Sequence, residues 1–295
     1  MEPLNMQPPT RVNLTMDAVR LYNDVAAECA KRTTKAYSTS FSLGIRFLAP
    51  SLREAIYNIY GFVRYADEIV DTLHGPHQAE MFARFKENTY WALDHGVSAN
   101  PILHAFALTF EKYNIDREHV DLFLRSMEWD LDRTAYDRES YDDYIVGSAE
   151  VVGLMCLHVF VFGDREAYGR LLPNARSLGA AFQKVNFLRD LRDDFEDKGR
   201  VYFPGVDMAA FNAGAKRQIE EEIAADFRHA YLGIVKLPKE SRLGVYVAYV
   251  YYQRLFQKIA ALPTNRIMEE RVRIPNRRKA TLFVGSYLRH SFNLL

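Results

Sequence analysis

Two segments of the chain carry polar side chains along one face of a predicted helix and end in a pair of aspartates. In the first segment, positions i, i+4, i+7 and i+11 are Tyr60, Arg64, Asp67 and Asp71. At 100° per residue these four side chains lie within about 60° of one another. The second segment repeats the arrangement at i, i+3, i+7 and i+11 with Gln183, Asn186, Asp190 and Asp194. We call these two sets the first and second polar stripe.

Helical periodicity extends over most of the chain, and no convincing alternating strand pattern occurs. Turn residues separate the periodic segments, and no linker rich in Gly, Ser or Pro divides the chain. We therefore predict an all-α fold, a single-domain helical bundle of about ten helices over residues 16–295, after a disordered leader at 1–15. The predicted helices are 15–38, 50–72, 78–95, 101–113, 117–133, 140–162, 165–171, 176–197, 213–235, 240–261 and 279–290.

The bulk composition and the motif content exclude several function classes. The 38 basic and 38 acidic residues balance to zero net charge, whereas a nucleic-acid binder carries a basic excess or stripe. No two glycines are separated by one residue, so the chain lacks the dinucleotide fingerprint, and it has no Walker motif. The longest apolar run, at 151–162, is shorter than the ~20 residues of a bilayer span. We expect no nucleic-acid partner and a cytoplasmic location, with a peripheral membrane contact left open.

The apolar surroundings of the stripe aspartates predict a metal site. Asp67 and Asp71 flank Ile69 and Val70, and unpaired acids beside such surface are costly. A divalent cation removes this cost, and Mg²⁺ prefers one or two carboxylates together with substrate phosphates. The eight histidines are scattered in the sequence, so a softer metal is not expected. The other acidic pairs, Glu128/Asp132 and Glu139/Asp143, are interpreted as solvated faces.

The aromatic content suits a substrate with a long apolar tail and a diphosphate head. The chain holds 19 Phe and 18 Tyr, and core packing alone accounts for many of them. Aromatic faces can also stabilise an allylic cation by about 0.5–2 kcal/mol each, once a diphosphate has left. Magnesium with Arg or Lys groups would neutralise that leaving group.

The two stripes and their surroundings resemble the squalene/phytoene synthase family of head-to-head prenyl transferases. The segment 67–71, Asp-Glu-Ile-Val-Asp, is similar to the first aspartate motif of the family. The segment 186–190, Asn-Phe-Leu-Arg-Asp, with Asp193-Asp194 and the tail 199–204, is similar to the second. Residues 37–41, Tyr-Ser-Thr-Ser-Phe, resemble the diphosphate-contacting start, and Glu270-Arg271-Val272 lies near the end. The resemblance implies an isoprenoid synthase bundle with a central cavity, and the flanking segments look most like bacterial phytoene synthases.

The resemblance also implies residue roles. Asp67, Asp71, Asp190 and Asp194 would hold two or three Mg²⁺ ions with the substrate diphosphate, and Mn²⁺ could substitute. The diphosphates would be bound or oriented by Arg64, Gln183, Asn186, Arg189 and Arg271, with Ser38 and Ser40 at the second head group. The reaction chamber would be lined by Phe41, which would shield the cation, and by Tyr60, Tyr144, Tyr202 and Tyr252. A surface arginine for Arg271, a packed tyrosine for Tyr252 and a salt bridge for Arg189 remain open alternatives.

The implied reaction is the head-to-head condensation of two geranylgeranyl diphosphates to phytoene, through a cyclopropyl diphosphate and without NADPH. Squalene or dehydrosqualene formation from two farnesyl diphosphates remains the alternative, because the sequence does not fix the substrate chain length. The sequence does not fix the oligomeric state either. The paired Asp-x-x-x-Asp motifs argue against a terpene cyclase, which more often pairs one Asp-rich motif with an Asn/Ser/Glu triad. All four aspartates are present, which argues against a non-catalytic descendant.

One position departs from the family pattern. Glu150 stands where the family commonly has a small residue before Gly153. The carboxylate could face a partner on another helix, or it could alter the pocket.

Overall fold

The computed structural model describes residues 16–132, 136–196, 202–203 and 212–269. Within these ranges the chain forms helices and connecting turns, so the all-α prediction is confirmed. The helices are α1 (Met16–Tyr37), α2 (Thr39–Arg46), α3 (Pro50–Asp71), α4 (Gln78–His95), α5 (Pro101–Lys112), α6 (Arg117–Asp132), α7 (Arg138–Ile145), α8 (Val151–Phe160), α9 (Arg165–Glu196), α10 (Ala213–Ile234), α11 (Lys239–Ala260) and α12 (Thr264–Glu269). The predicted leader at 1–15 and the predicted helix at 279–290 lie outside the described residues.

Capping residues set several of the helix ends. The Asn100 side chain accepts hydrogen bonds from the backbone N–H groups of Ile102 and Leu103, which starts α5 at Pro101. α4 ends at His95, and the next residue, Gly96, takes the left-handed conformation that glycine adopts without strain. The predicted helix 78–95 matches α4 at both ends. An additional short helix, α2, starts at Thr39 and is capped by Ser38, where the sequence predicted only the end of the first helix.

The sequence predicted a break between two helices at Pro173, but the structure has one continuous helix there. α9 runs through it from Arg165 to Glu196, although proline removes one backbone hydrogen bond. Contacts with α10 flank this point: Asn174 Nδ2 donates to the His229 carbonyl at 2.8 Å. Gly233 of α10 lies against the Asn174 side chain, at a distance where a Cβ atom would clash. Packing against α10 thus supports a continuous helix where the local sequence favours a break.

A π-helical turn, Val146–Glu150, interrupts the predicted helix 140–162 between α7 and α8. Gly147 lies in this turn, and a Cβ there would come within 2.7 Å of the Leu122 carbonyl oxygen. The turn therefore presses directly against α6. π-turns of this kind recur at functional sites because they re-aim the side chains of one helical turn.

α8 separates the two main hydrophobic clusters. Val151, Met155 and Val159 pack with α3 to α6, and Leu154 and Leu157 pack with α9 to α11. A helix that is apolar on all sides must be buried. By length and composition the stretch Arg138–Phe160 could also cross a membrane, but half of its most apolar window is buried inside the bundle. In the structure it is a core element.

Candidate active site

An apolar cavity of about 310 Å³ lies among α2, α3, α8, α9, α10 and α11. One end is lined by polar and aromatic side chains from three helices, Tyr60, Gln183, Asn186 and Tyr252. The opposite end is lined by Leu171, Ile234 and Leu237. Along α9 the lining extends from Leu171 to Asn186, which is about 22 Å at 1.5 Å per residue. The two polar stripes therefore meet at one end of a long apolar cavity.

The aspartates of the first stripe lie beyond the polar end of this cavity. Tyr60 and Val63 line it, and Asp67 follows one turn later, half-buried. Arg64 donates to Asp67 Oδ2 at 2.6 Å and also pairs with Glu68. Its guanidinium lies 4.4 Å from the centre of the Tyr37 ring. Asp71, one turn further, is half-buried at the end of α3.

Tyr60 joins the first stripe to the segment that precedes α2. Its ring stacks on Phe41 at a centroid distance of 4.8 Å, and its hydroxyl lies near the Ser38 side chain. The same Ser38 Oγ caps α2 by accepting from the backbone N–H of Phe41 at 3.1 Å. Burial raises the pKa of Tyr60, so its hydroxyl stays protonated near neutral pH. Three predicted site residues, Ser38, Phe41 and Tyr60, thus lie together.

The second stripe begins with a chain of hydrogen bonds across three helical segments. Gln183 Nε2 donates to Ser148 Oγ at 3.3 Å, and Asn186 Nδ2 donates to Gln183 Oε1 at 3.4 Å. The Tyr252 hydroxyl donates to Asn186 Oδ1 at 3.3 Å, and its ring stacks on Phe182 at 4.0 Å. Burial raises the pKa of Tyr252, which keeps this hydroxyl a donor. The orientation of both amides is therefore fixed from the π-turn on one side and from α11 on the other.

Arg189 pairs with the stripe aspartate that follows it. Its Nε donates to Asp190 Oδ1 at 2.9 Å, and its Nη2 donates to Asp190 Oδ2 at 2.5 Å. Burial disfavours the guanidinium charge, but the hydrogen bonds and the charge of Asp190 more than offset this and raise the pKa of Arg189. Of the two alternatives for Arg189, this structure shows the salt bridge to a neighbouring acid.

Other predicted site residues lie elsewhere or outside the described part. Tyr144 and Tyr202 are buried in an aromatic stack with Phe187, where the Tyr202 and Phe187 ring centres are 4.1 Å apart. Neither tyrosine is among the described residues that line the cavity. The Tyr144 hydroxyl instead donates to Asp130 Oδ2 at 2.8 Å. The side chains of Ser40 and Asp194, and all of Arg271, lie outside the described residues.

Three site residues, Glu68, Ser148 and Phe182, were not predicted from the sequence, and one open question is resolved. Glu68 pairs with Arg64, a contact that the i, i+4 spacing could have indicated. Ser148, which contacts Gln183, lies on the π-turn, and the sequence did not reveal this turn. Glu150 faces a partner on another helix, since Arg176 Nε donates to its Oε2 at 2.5 Å.

The donor set of the stripes fits magnesium. Asp67, Asp71 and Asp190 offer only carboxylate oxygens, the ligand type that Mg²⁺ prefers. Both Asp67 and Asp190 are paired with arginines, which shows that each carboxylate is matched by positive charge in this structure. A divalent cation would replace that charge at the same oxygens.

The chain matches the family model described as squalene/phytoene synthase over residues 34–278. It is 26% identical to phytoene synthase 3 of Zea mays over 86% of this chain, which spans 64% of the length of the maize protein. It is 27% identical to the 15-cis-phytoene synthase of Synechocystis, over 90% of this chain and 85% of that protein. A presqualene diphosphate synthase of Zymomonas mobilis is 31% identical, over 69% of this chain and 68% of that protein.

Among solved structures, a dehydrosqualene synthase crystallised with a ligand superposes with a TM-score of 0.76. The two chains share 20% identity, over 92% of this chain and 98% of that one. At this level of identity the similarity is one of fold.

Proposed function

This chain belongs to the squalene/phytoene synthase family, and we propose that it condenses two molecules of geranylgeranyl diphosphate head to head to form phytoene. The reaction would pass through a cyclopropyl diphosphate and end by proton loss, without NADPH. The observation that carries the proposal is the asymmetry of the cavity. Its polar end is formed by both stripes, and the rest follows α9 as an apolar channel.

The polar end would bind the diphosphates. Asp67, Asp71 and Asp190, with Asp194 as the fourth predicted ligand, would hold magnesium, which when bound neutralises charge on the leaving diphosphate. Arg64 and Arg189 would turn from their aspartates to the diphosphate oxygens, which guanidinium groups bind well. Ser148 and Tyr252 hold the Gln183 and Asn186 amides in place. The amides would therefore orient the head group without having to reorient during the reaction.

The apolar channel would protect the carbocation that forms when the carbon–oxygen bond breaks. Phe41 and Tyr60 stack at one side of the polar end, and Phe182 and Tyr252 stack near the other. Their ring faces can stabilise a cation by about 0.5–2 kcal/mol each. The same side chains exclude water, which would otherwise trap the cation as an alcohol.

A second candidate reaction is the condensation of two farnesyl diphosphates to presqualene diphosphate, squalene or dehydrosqualene. The identity of 31% to a presqualene diphosphate synthase favours it. Both reactions would use the same polar end. They differ in the length of channel that the tails occupy.

Incubation of the purified chain with Mg²⁺ and either substrate, with and without NADPH, tests the proposal. We expect phytoene from geranylgeranyl diphosphate in the absence of NADPH. Products made only from farnesyl diphosphate would replace the proposal with the second candidate. Cyclic products from single substrate molecules would indicate a terpene cyclase, and no product from either substrate would refute both condensation reactions.

A further inference from the structure

A second group of metal-ligand side chains lies at the opposite end of α9 from Asp190. Asp116 directly precedes α6, His119 is in the first turn of α6, and His158 is in the last turn of α8. They are joined by Arg165 and Tyr168 from the first turn of α9. Arg165 and Asp190 are 25 positions apart on one helix, so this group is roughly 37 Å from the polar stripes.

Nitrogen and oxygen atoms from three helical segments converge in this group. His158 Nε2 is 3.3 Å from Asp116 Oδ2, and His119 Nε2 is 3.8 Å from the same oxygen. One potential ligand atom from each of the three residues lies within 4.8 Å of the other two. A tetrahedral zinc ion with bonds of about 2.0–2.1 Å holds its ligands about 3.3 Å apart. Contraction of the widest of these separations by up to about 1.5 Å would produce that geometry.

Both histidines of the group are buried, and three of their four ring nitrogens have no hydrogen-bond partner; the fourth, His119 Nε2, is bonded to the Tyr168 hydroxyl. The His158 side chain is 0% exposed, and neither of its ring nitrogens makes a hydrogen bond. His119 Nδ1 is buried without a partner as well. A buried polar atom left in this way costs roughly 1–3 kcal/mol. An ion bound at His158 Nε2 would remove that cost for one of these atoms.

Side chains of α9 contact each of the three residues. Arg165 Nη1 donates to Asp116 Oδ1 at 2.6 Å, which leaves Oδ2 directed at the histidines. The Tyr168 hydroxyl is 2.6 Å from His119 Nε2, and its ring stacks on His158 at 4.0 Å. Ligating carboxylates are commonly hydrogen-bonded through their second oxygen in this manner.

We propose that Asp116, His119 and His158 bind one divalent first-row transition ion, zinc foremost. Two imidazoles and one carboxylate suit zinc, whereas magnesium prefers an all-oxygen set like that of the stripes. The ion would connect the start of α6, the end of α8 and the start of α9, with the Tyr168 hydroxyl or water as the fourth ligand. Its function is structural, and it does not depend on the reaction proposed above.

Metal analysis of the full-length chain tests this site. Protein stripped with EDTA is equilibrated with zinc in excess Mg²⁺, which saturates the stripes, and then dialysed. We expect one zinc per chain, and loss of that zinc in His119→Gln and in His158→Gln. The control is His77→Gln, which removes an exposed histidine beside Glu80 and should keep the full zinc content. Equal zinc content in all four proteins, or none in the wild type, would overturn the proposal.

Two measurements on the wild-type chain avoid any dependence on how the variants fold. Cobalt should give the visible absorption bands of a four-coordinate nitrogen and oxygen site at one equivalent, and zinc should abolish them. Zinc should also raise the Tm of the stripped chain by several degrees, because an ion that binds only the folded state stabilises it. No cobalt bands and an unchanged Tm would show that the group is only a polar network.

Discussion

Arg189 holds both carboxylate oxygens of the residue that follows it, Asp190, through its Nε and Nη2 atoms. Arg64 likewise donates to Asp67 on the first stripe. In each stripe a predicted metal ligand is thus already paired with a predicted diphosphate-binding group. A cation that binds the aspartate must displace the arginine, and the displaced guanidinium is then available to an anionic substrate.

Replacement of Arg189 should affect metal binding and turnover in opposite directions. Arg189→Gln removes a positive charge that competes with the cation at Asp190, so we expect Mg²⁺ affinity of the substrate-free chain to rise by about tenfold. Turnover should fall, since the diphosphate loses a ligand. Calorimetric Mg²⁺ titration and steady-state kinetics measure the two effects. Arg192→Gln, three positions along α9 and exposed, is the control, and a similar rise in affinity in this variant would contradict the explanation.

Loss of one stripe carboxylate should abolish most of the activity. We expect Asp67→Asn and Asp190→Asn each to lower kcat by at least about 10²–10³-fold, the usual cost of removing one preorganised electrostatic contact. The Tm should change little, because both side chains are only half-buried. The matched control is Asp132→Asn, in the exposed Glu128/Asp132 pair. Activity of the stripe variants comparable to this control would rule out the metal site.

The apolar end of the cavity should determine substrate length. Ala175 lines the cavity near Leu171, and Ala175→Phe would fill part of the channel. We expect kcat/KM to fall by about tenfold more for geranylgeranyl diphosphate than for farnesyl diphosphate, since a few methylenes change transition-state binding by 1–3 kcal/mol each. Competition between the two substrates measures the ratio. Leu172→Phe, one turn away and not part of the described lining, should leave this ratio unchanged.

Two glycines on α9 provide a paired test of packing against the π-turn. A Cβ on Gly179 would come within 2.8 Å of the Ala149 carbonyl oxygen, whereas a Cβ on Gly169 meets no atom within 4 Å. We expect Gly179→Ala to reduce the free energy of unfolding by about 1–3 kcal/mol. Gly169→Ala should increase the free energy of unfolding by about 0.4–1 kcal/mol, because alanine lowers the conformational entropy of the unfolded chain. Urea denaturation measures both, and equal effects would contradict the close approach.

Acid should destabilise the metal-free chain through His158. Burial lowers the pKa of this histidine to about 4, whereas in the unfolded chain it is near 6.5. The unfolded state therefore takes up the proton first, and stability falls as the pH drops from about 6.5 to about 4, by roughly 3 kcal/mol in total. The His158→Gln variant lacks this titrating group, so its unfolding free energy should fall less than that of the wild type as the pH drops. The difference between the two proteins should therefore narrow over this window. Parallel pH dependences of the unfolding free energy in EDTA would show that His158 contributes nothing.

The helices and the stripes were predictable because they follow from short-range rules. Apolar periodicity predicted the helix 78–95, which matches α4. The i, i+4 and i+7 spacing placed Tyr60, Arg64 and Asp67 on one face. These patterns lie within a few turns of one helix. Local sequence therefore determines them.

The remaining features depend on contacts between distant segments. Pro173 was interpreted as a break because nothing near it reveals the packing against α10. Ser148 lies 35 positions from Gln183, on a π-turn that packs closely against α6. His119 and His158 were interpreted as scattered because they are 39 positions apart, yet the fold brings them together.

Among the described residues, both polar stripes line the same end of the cavity, and this has a consequence for the fate of the product. Before reaction, charged head groups hold the substrate at the polar end, and apolar contacts hold its tails. Once both diphosphates have left, only the apolar contacts remain. Release of the hydrocarbon into water would then cost about 25 cal/mol for each Å² of apolar surface exposed. Turnover of the proposed reaction would then be limited by transfer of the oil to a lipid or detergent phase, and the rate would depend on that acceptor more than on the chemical step.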